Sequence, residues 1–199
     1  MPKILTNMRQ MLLDKTAVIL KEEGYSHLSI RRIANECHVA TGTVYNYFKS
    51  KDEMVAGIMI EDWDKTVDDM KKAVSGFAIE SSMHSGVPDH TENSRHSDDP
   101  HTDFSNGMVD IAMSIRDFNN RYSVTFGQFE AAGGSPGIVQ KYHHLLRDQI
   151  DDIMLVLLEN TGSEHLKSVI PILSETILTI SQRDDIDSKM IQEFAGIIY

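Results

Sequence analysis

Between Gly24 and Met54 the chain reads GYSHLSIRRIANECHVATGTVYNYFKSKDEM, a stretch rich in groups that hydrogen-bond at a surface. Ala40, Thr41, Gly42 and Thr43 are consecutive small residues. At the start of a helix they let the backbone come close to another macromolecule. Threonine hydroxyls can bond phosphate or base edges, and the threonine methyl can touch that of thymine. Tyr45 and Tyr47 add flat faces with hydroxyl donors, and Asn46 adds an amide. Lys49 and Lys51 flank the start of a further helix, where cations and free backbone amides together favour a phosphate. This is the chemistry of a helix-turn-helix, whose second helix can lie in a DNA major groove. Ser29, Arg31, Tyr47, Lys49 and Lys51 are then the backbone-positioning residues. Thr41, Gly42, Thr43, Tyr45 and Asn46 face base edges. Ile30, Ile33, Ala34, Val39, Val44 and Phe48 form the module's core, and Arg32 receives no contact role.

The elements that must hold these residues read as helices throughout. Met8, Met11, Leu12, Leu13, Ala17, Val18, Ile19 and Leu20 make an apolar face that ends at Gly24, a C-terminal stop. Ser29 stands where an N-cap belongs, ahead of Ile30, Ile33 and Ala34. A short helix near 41–47 follows. Ser50 and Glu53 have capping-box spacing and open a long helix. Ala56, Ile60, Trp63, Val67, Met70 and Val74 form one stripe along it, for which plain core packing is the simplest reading.

Residues 80–107 are rich in Ser, Asp, His, Gly and Pro and read as a long loop. Helical periodicity returns with Met108, Ile111, Ala112, Ile115, Phe118, Tyr122, Phe126 and Phe129, with Asn119-Asn120 as a place to bend or split that helix. Ser135-Pro136 restarts the chain after Gly133-Gly134, and a helix runs on to Gly162. Ser163 is placed to cap the next helix, which Pro171 kinks or delays. The last two helices, about 163–182 and 185–198, are apolar enough to need more than one burial face, which favours a subunit interface.

The segment 8–60 resembles the amino-terminal signature of the TetR-type (TetR/AcrR) transcriptional regulators. The residues in register are Gly24-Tyr25, Ser29, Ile33-Ala34, Val39, Gly42-Thr43, Tyr45, Tyr47-Phe48, Lys51 and Met54. Many typed positions agree at fixed spacing, which makes the match specific. Three residues depart from it. His38 stands where a turn glycine is usual, a site expected to need positive φ. Ala40 replaces the usual serine cap, and Lys49 a frequent proline.

The resemblance implies an all-α protein: a three-helix helix-turn-helix module over 1–52 and a helical ligand-binding and dimerisation domain over 53–199. It further implies a homodimer paired through the last two helices and a near-palindromic double-stranded DNA operator. A small-molecule effector would move the helix that starts at Ser50 and release a repressor. Effector-pocket candidates are Trp63, Phe118, Tyr122, Phe126, Phe129, Tyr142 and His143, with Arg116 or Arg121 for an anionic group. Plain core or surface roles compete with the pocket at each.

Charge and composition agree. Residues 1–51 hold eight basic and four acidic side chains, a balance of +4, while the other 148 hold 11 and 26, a balance of −15. A basic head can approach a polyanion while the acidic body is repelled. One cysteine excludes an internal disulfide scaffold. Cys37 reads as a small buried filler in preference to a redox switch. No apolar run is long enough for a membrane helix, and the N-terminus lacks signal-peptide features, so a cytoplasmic protein is expected. His84, His90, His96 and His101 match no chelating spacing, so neither metal nor cofactor is expected. No nucleophile, base and orienter assemble from motif spacing, which argues against an enzyme. The alternative to a DNA-binding regulator is a small-molecule-binding or interaction protein with a vestigial module, motivated by His38 and Ala40.

Overall fold

The computed structural model describes residues 2–79, 100–133 and 136–199. Among them there are eight α-helices and no strand, so the fold is all-α. They are α1 (Pro2–Glu23), α2 (Ile30–Glu36), α3 (Thr41–Tyr45), α4 (Lys51–Ile79), α5 (Pro100–Ala131), α6 (Pro136–Asn160), α7 (Ile170–Ile180) and α8 (Ser188–Ile198). Short 3-10 turns lie at Tyr25–His27 and Glu164–Val169.

Packing divides the chain into two units. The first is Met1–Asp64 with Arg121–Tyr142, and the second is Lys65–Asn120 with His143–Tyr199. The change of packing therefore falls inside α4, beyond the 52/53 boundary drawn from sequence. The reason is local: Met54 and Val55 of α4 belong to the core of the amino-terminal module, and so does Phe129 of α5.

In the first unit, α1 buries Leu12, Leu13, Thr16 and Ile19 and leaves Met11 and Val18 exposed. It ends at Gly24, which has φ +85 and donates its N–H to Ile19 O and Leu20 O at 3.2 and 3.1 Å. Only glycine adopts that backbone without strain. The capping box of α4 forms with a shift of one residue. Glu53 N–H donates to Ser50 Oγ at 3.1 Å, but Glu53 Oε2 accepts from Lys49 N–H at 2.6 Å, not from Ser50.

The second unit corrects two expectations. Residues 100–107 are helical, not loop, because Pro100 starts α5, Asp103 sits in its first turn, and Phe104 and Met108 are fully buried. Gly107 allows a close crossing, since a methyl there would overlap Leu157 Cδ1 and lie 3.0 Å from Cδ2. Asn119-Asn120 does not split the helix, which continues to Ala131. The remaining part of the expected loop, 80–99, lies outside the described residues, as does the expected cap Ser135.

The last two helices are shorter than the sequence suggested. Pro171 delays α7, whose first turn it occupies, and a 3-10 turn fills Glu164–Val169. Ser163 does not cap; its hydroxyl pairs with Thr161 Oγ1 at 2.9 Å. α7 has no side-chain cap, whereas Asp187 caps α8, accepting from Met190 N–H at 2.9 Å. α7 and α8 bury Leu173, Ile177, Leu178, Ile191 and Ala195 and leave Ile172, Met190 and Ile197 exposed. No helix among the described residues is long and apolar enough to cross a membrane.

Candidate nucleic-acid interface

The interface is built outward from a small core. Ile33 and Ala34 of α2, Val44 of α3 and Phe48 are buried with Leu12, Leu13, Tyr25 and Leu28. Ile30, Val39 and Tyr47 pack partly buried against them. Ser29 caps α2, its hydroxyl accepting from Arg32 N–H at 3.2 Å. The turn between α2 and α3 passes through His38 at φ 54, the left-handed region expected of a glycine site. Ala40 offers no side-chain cap to α3, which starts on backbone alone: Thr43 N–H donates to Ala40 O at 2.9 Å.

This scaffold leaves one face of α3 open. Thr41, Gly42 and Asn46 are exposed, Tyr45 is 54% exposed, and Thr43 is half-buried. A methyl on Gly42 would meet nothing within 4 Å. Arg31 on α2 and Lys49 before α4 are exposed beside this module. Arg32, given no contact role, is held by a bidentate pair with Glu23, one bond being 2.8 Å. That pair holds the Glu23 carboxyl below its ordinary pKa, chiefly through the hydrogen bond.

Lys51 differs from expectation. Its Nζ lies 4.0 Å from the Tyr25 ring centroid and 3.4 Å from Tyr25 O, so the cation is drawn inward. The Tyr25 hydroxyl donates to Asp52, and burial together with that carboxylate raises the phenol's pKa. Tyr25 thus ties several parts of the module together. Its N–H donates to Gln128 Oε1 at 2.8 Å, and Phe129 meets its ring edge-on at 5.9 Å. Cys37 is half-buried with a thiol pushed up in pKa by burial, as a filler would be.

Residues 12–58 match the family model described as "Bacterial regulatory proteins, tetR family". The amino-terminal module is of the TetR type. An uncharacterised HTH-type transcriptional regulator of Haemophilus influenzae is 38% identical over 50 residues, covering 25% of this chain and 27% of that protein. The HTH-type transcriptional regulator UidR of Escherichia coli K12 is 25% identical over 69 residues, or 35% of each chain. The matched segments thus span about a third or less of these curated relatives. A TetR/AcrR-family transcriptional regulator from Thermobifida fusca has a TM-score of 0.51 at 15% identity, over 96% of both chains. At that identity the likeness concerns the fold.

Beyond the TetR-type module, the expected pocket residues do not gather in one unit. Trp63, Tyr122, Phe126 and Phe129 belong to the first unit, and Arg116, Phe118 and His143 to the second. The Tyr142 side chain lies outside the described residues. Trp63 and Phe118 are buried, and Phe126 is exposed. Phe129 belongs to the core of the TetR-type module, against Tyr25, and is not a pocket wall there. The Tyr122 phenol is pushed up to about 12 by burial and by Asp62.

Both cations offered to an anion have other work. Arg121 pairs with Asp62 at 3.1 Å. Arg116 donates to the carbonyls of Ile180, Ser181, Arg183 and Ile186 at 3.3, 3.5, 3.1 and 2.7 Å, closing the turn between α7 and α8. His143 is an exposed surface residue, 3.9 Å from Glu175. Among the described residues no three His, Cys, Asp or Glu side chains are grouped to hold a metal. His84, His90 and His96 lie outside them, and the His101 ring meets that of Tyr199 at a tilt of 54°, with centroids 3.5 Å apart.

Proposed function

We propose that the chain is a sequence-specific DNA-binding transcriptional regulator. Residues 1–52 read DNA, and 53–199 bind an effector and dimerise. The observation that carries this is the open face of α3, where Thr41, Gly42, Tyr45 and Asn46 stand clear of the core. Arg31 and Lys49 supply the phosphate contacts, since Lys51 is committed to Tyr25. Ser29 and Tyr47 contribute at the margins, and Thr43 meets bases from its half-buried place.

The protein acts as a cytoplasmic homodimer. Ile172, Met190 and Ile197, at 65%, 52% and 84% exposure on α7 and α8, supply apolar surface suited to a second copy. Two modules then read half-sites roughly 34 Å apart in a near-palindrome. An effector that prefers the non-binding arrangement releases the operator and relieves repression; equal preference for both would shift nothing. The module's chemistry is binding, not turnover.

The uncapped start of α3 at Ala40 favours one rival, a sensor whose module no longer reads DNA. Selection of random and genomic fragments by purified protein at near-physiological salt separates the two. The proposal expects an enriched near-palindrome. Failure to enrich any sequence, by folded and unliganded dimer, refutes it.

A further inference from the structure

Tyr25 is held from two helices at once. From the first turn of α4, Lys51 Nζ lies 3.4 Å from Tyr25 O and 4.0 Å from its ring centroid, and Asp52 accepts from its hydroxyl. From the last turn of α5, Gln128 Oε1 accepts from Tyr25 N–H at 2.8 Å, and Phe129 meets the ring with centroids 5.9 Å apart. Gln128 and Tyr25 are 103 residues apart in sequence and belong to the same packing unit. Tyr25 is buried, so removing the Gln128 oxygen would leave a backbone donor unpaired at a buried residue.

That bond sits at a corner of the module. Gly24 N–H closes α1 onto Ile19 O and Leu20 O, and Tyr25 O accepts from Leu28 N–H just before α2. Ser29 and Arg31, the residues assigned to phosphates at this edge, follow directly. The corner also leaves room for the glutamine: a methyl on Gly24 would lie 3.1 Å from Gln128 Oε1 and 3.4 Å from Nε2. We propose that Gln128 is a positioning residue for DNA binding, its side-chain oxygen holding the Gly24–Tyr25 corner from which α2 starts. The inference rests on the reading of the chain as a DNA-binding regulator. A loose corner must be ordered when DNA binds, whereas a held one is ordered beforehand, and such preorganisation adds to affinity. Gln128 thereby gives the end of α5 its own hold on the module, separate from that of α4. The role needs an acceptor and nothing else, because a backbone N–H only donates.

That requirement supplies the test. Gln128→Glu keeps an acceptor, and Gln128→Leu keeps bulk and removes it. Both full-length variants and the parent are compared on the selected operator by fluorescence anisotropy, across a range of salt that separates the effect of the added charge. Amide hydrogen exchange at Tyr25 reads the bond itself. With one bond lost in each of two modules, Gln128→Leu should weaken operator binding about tenfold or more and speed Tyr25 exchange about fivefold. Gln128→Glu should stay within about threefold of the parent in both. If Gln128→Leu fails to fold, Gln128→Ala takes its place with the same expectation. Faster exchange with operator affinity kept would mean a bond that only supports the fold, and overturns the proposal. So would weakened binding with unchanged exchange, or a glutamate variant as weak as the leucine one. A parent that enriches no operator defeats the regulator reading and this inference with it; an operator bound equally by parent and variants defeats this inference alone.

Discussion

Replacing Gly42 with alanine adds one methyl to the open face of α3, where it would meet nothing within 4 Å in the free protein. The change should therefore stabilise the unbound chain. Glycine inside a helix costs up to about 1 kcal/mol relative to alanine, and in a chain this size that corresponds to a Tm gain of roughly 2–4 °C at most. On DNA the same methyl stands between the helix backbone and the duplex. Forcing the module back by a methyl's width disturbs the base contacts of Thr41, Tyr45 and Asn46 together. A loss of about 1–3 kcal/mol, as for one good base contact, weakens operator binding roughly 5- to 150-fold. Fluorescence anisotropy on the selected operator, at fixed salt, gives Kd, and calorimetry gives Tm. The reasoning predicts opposite signs: a firmer protein and a poorer binder. Operator affinity within twofold of the parent would refute close backbone approach. A drop in Tm would refute the open space around Gly42.

Other perturbations test the framework. Gly107→Ala should destabilise the second unit by about 1–3 kcal/mol, read by urea titration, because the methyl overlaps Leu157 in a filled core. Arg116→Met strips the donors from the carbonyls that close the α7–α8 turn and should cost about 1.5–3 kcal/mol in the same assay. Tyr25 gives a pH signature. Its phenol has a raised pKa in the fold, so its contribution is intact below the unfolded value of about 10 and is lost as pH climbs through the folded one. Tyr25→Phe should flatten that alkaline loss of stability, measured by denaturation across the same range.

What could be read in the sequence was what neighbours decide. Ser29 caps α2, Gly24 ends α1, Pro171 delays α7 and His38 takes positive φ, because each depends on a few adjacent residues. The open face of α3 follows from its own short pattern of small and polar residues. What escaped depended on distant partners. The first turns of α5 look like loop by composition, yet Phe104, Met108 and the Gly107–Leu157 crossing hold them in the core. Arg116 looked free for a ligand, but its acceptors lie 64 to 70 residues away. The contact of Lys51 with Tyr25, 26 residues earlier, carried no signal in the sequence either. Phe129 joined the amino-terminal core from the far end of α5.

The central claim is that the exposed side chains of α3 read DNA sequence. Parallel fragment selection with the parent protein and with a Thr41→Ala, Tyr45→Ala, Asn46→Ala variant tests it directly. The parent should enrich a near-palindrome with half-sites about one helical turn apart. The folded variant should lose that preference while keeping weak, salt-sensitive binding to any duplex. Enrichment of the same palindrome by the variant would contradict the claim, as would a parent protein that enriches no sequence.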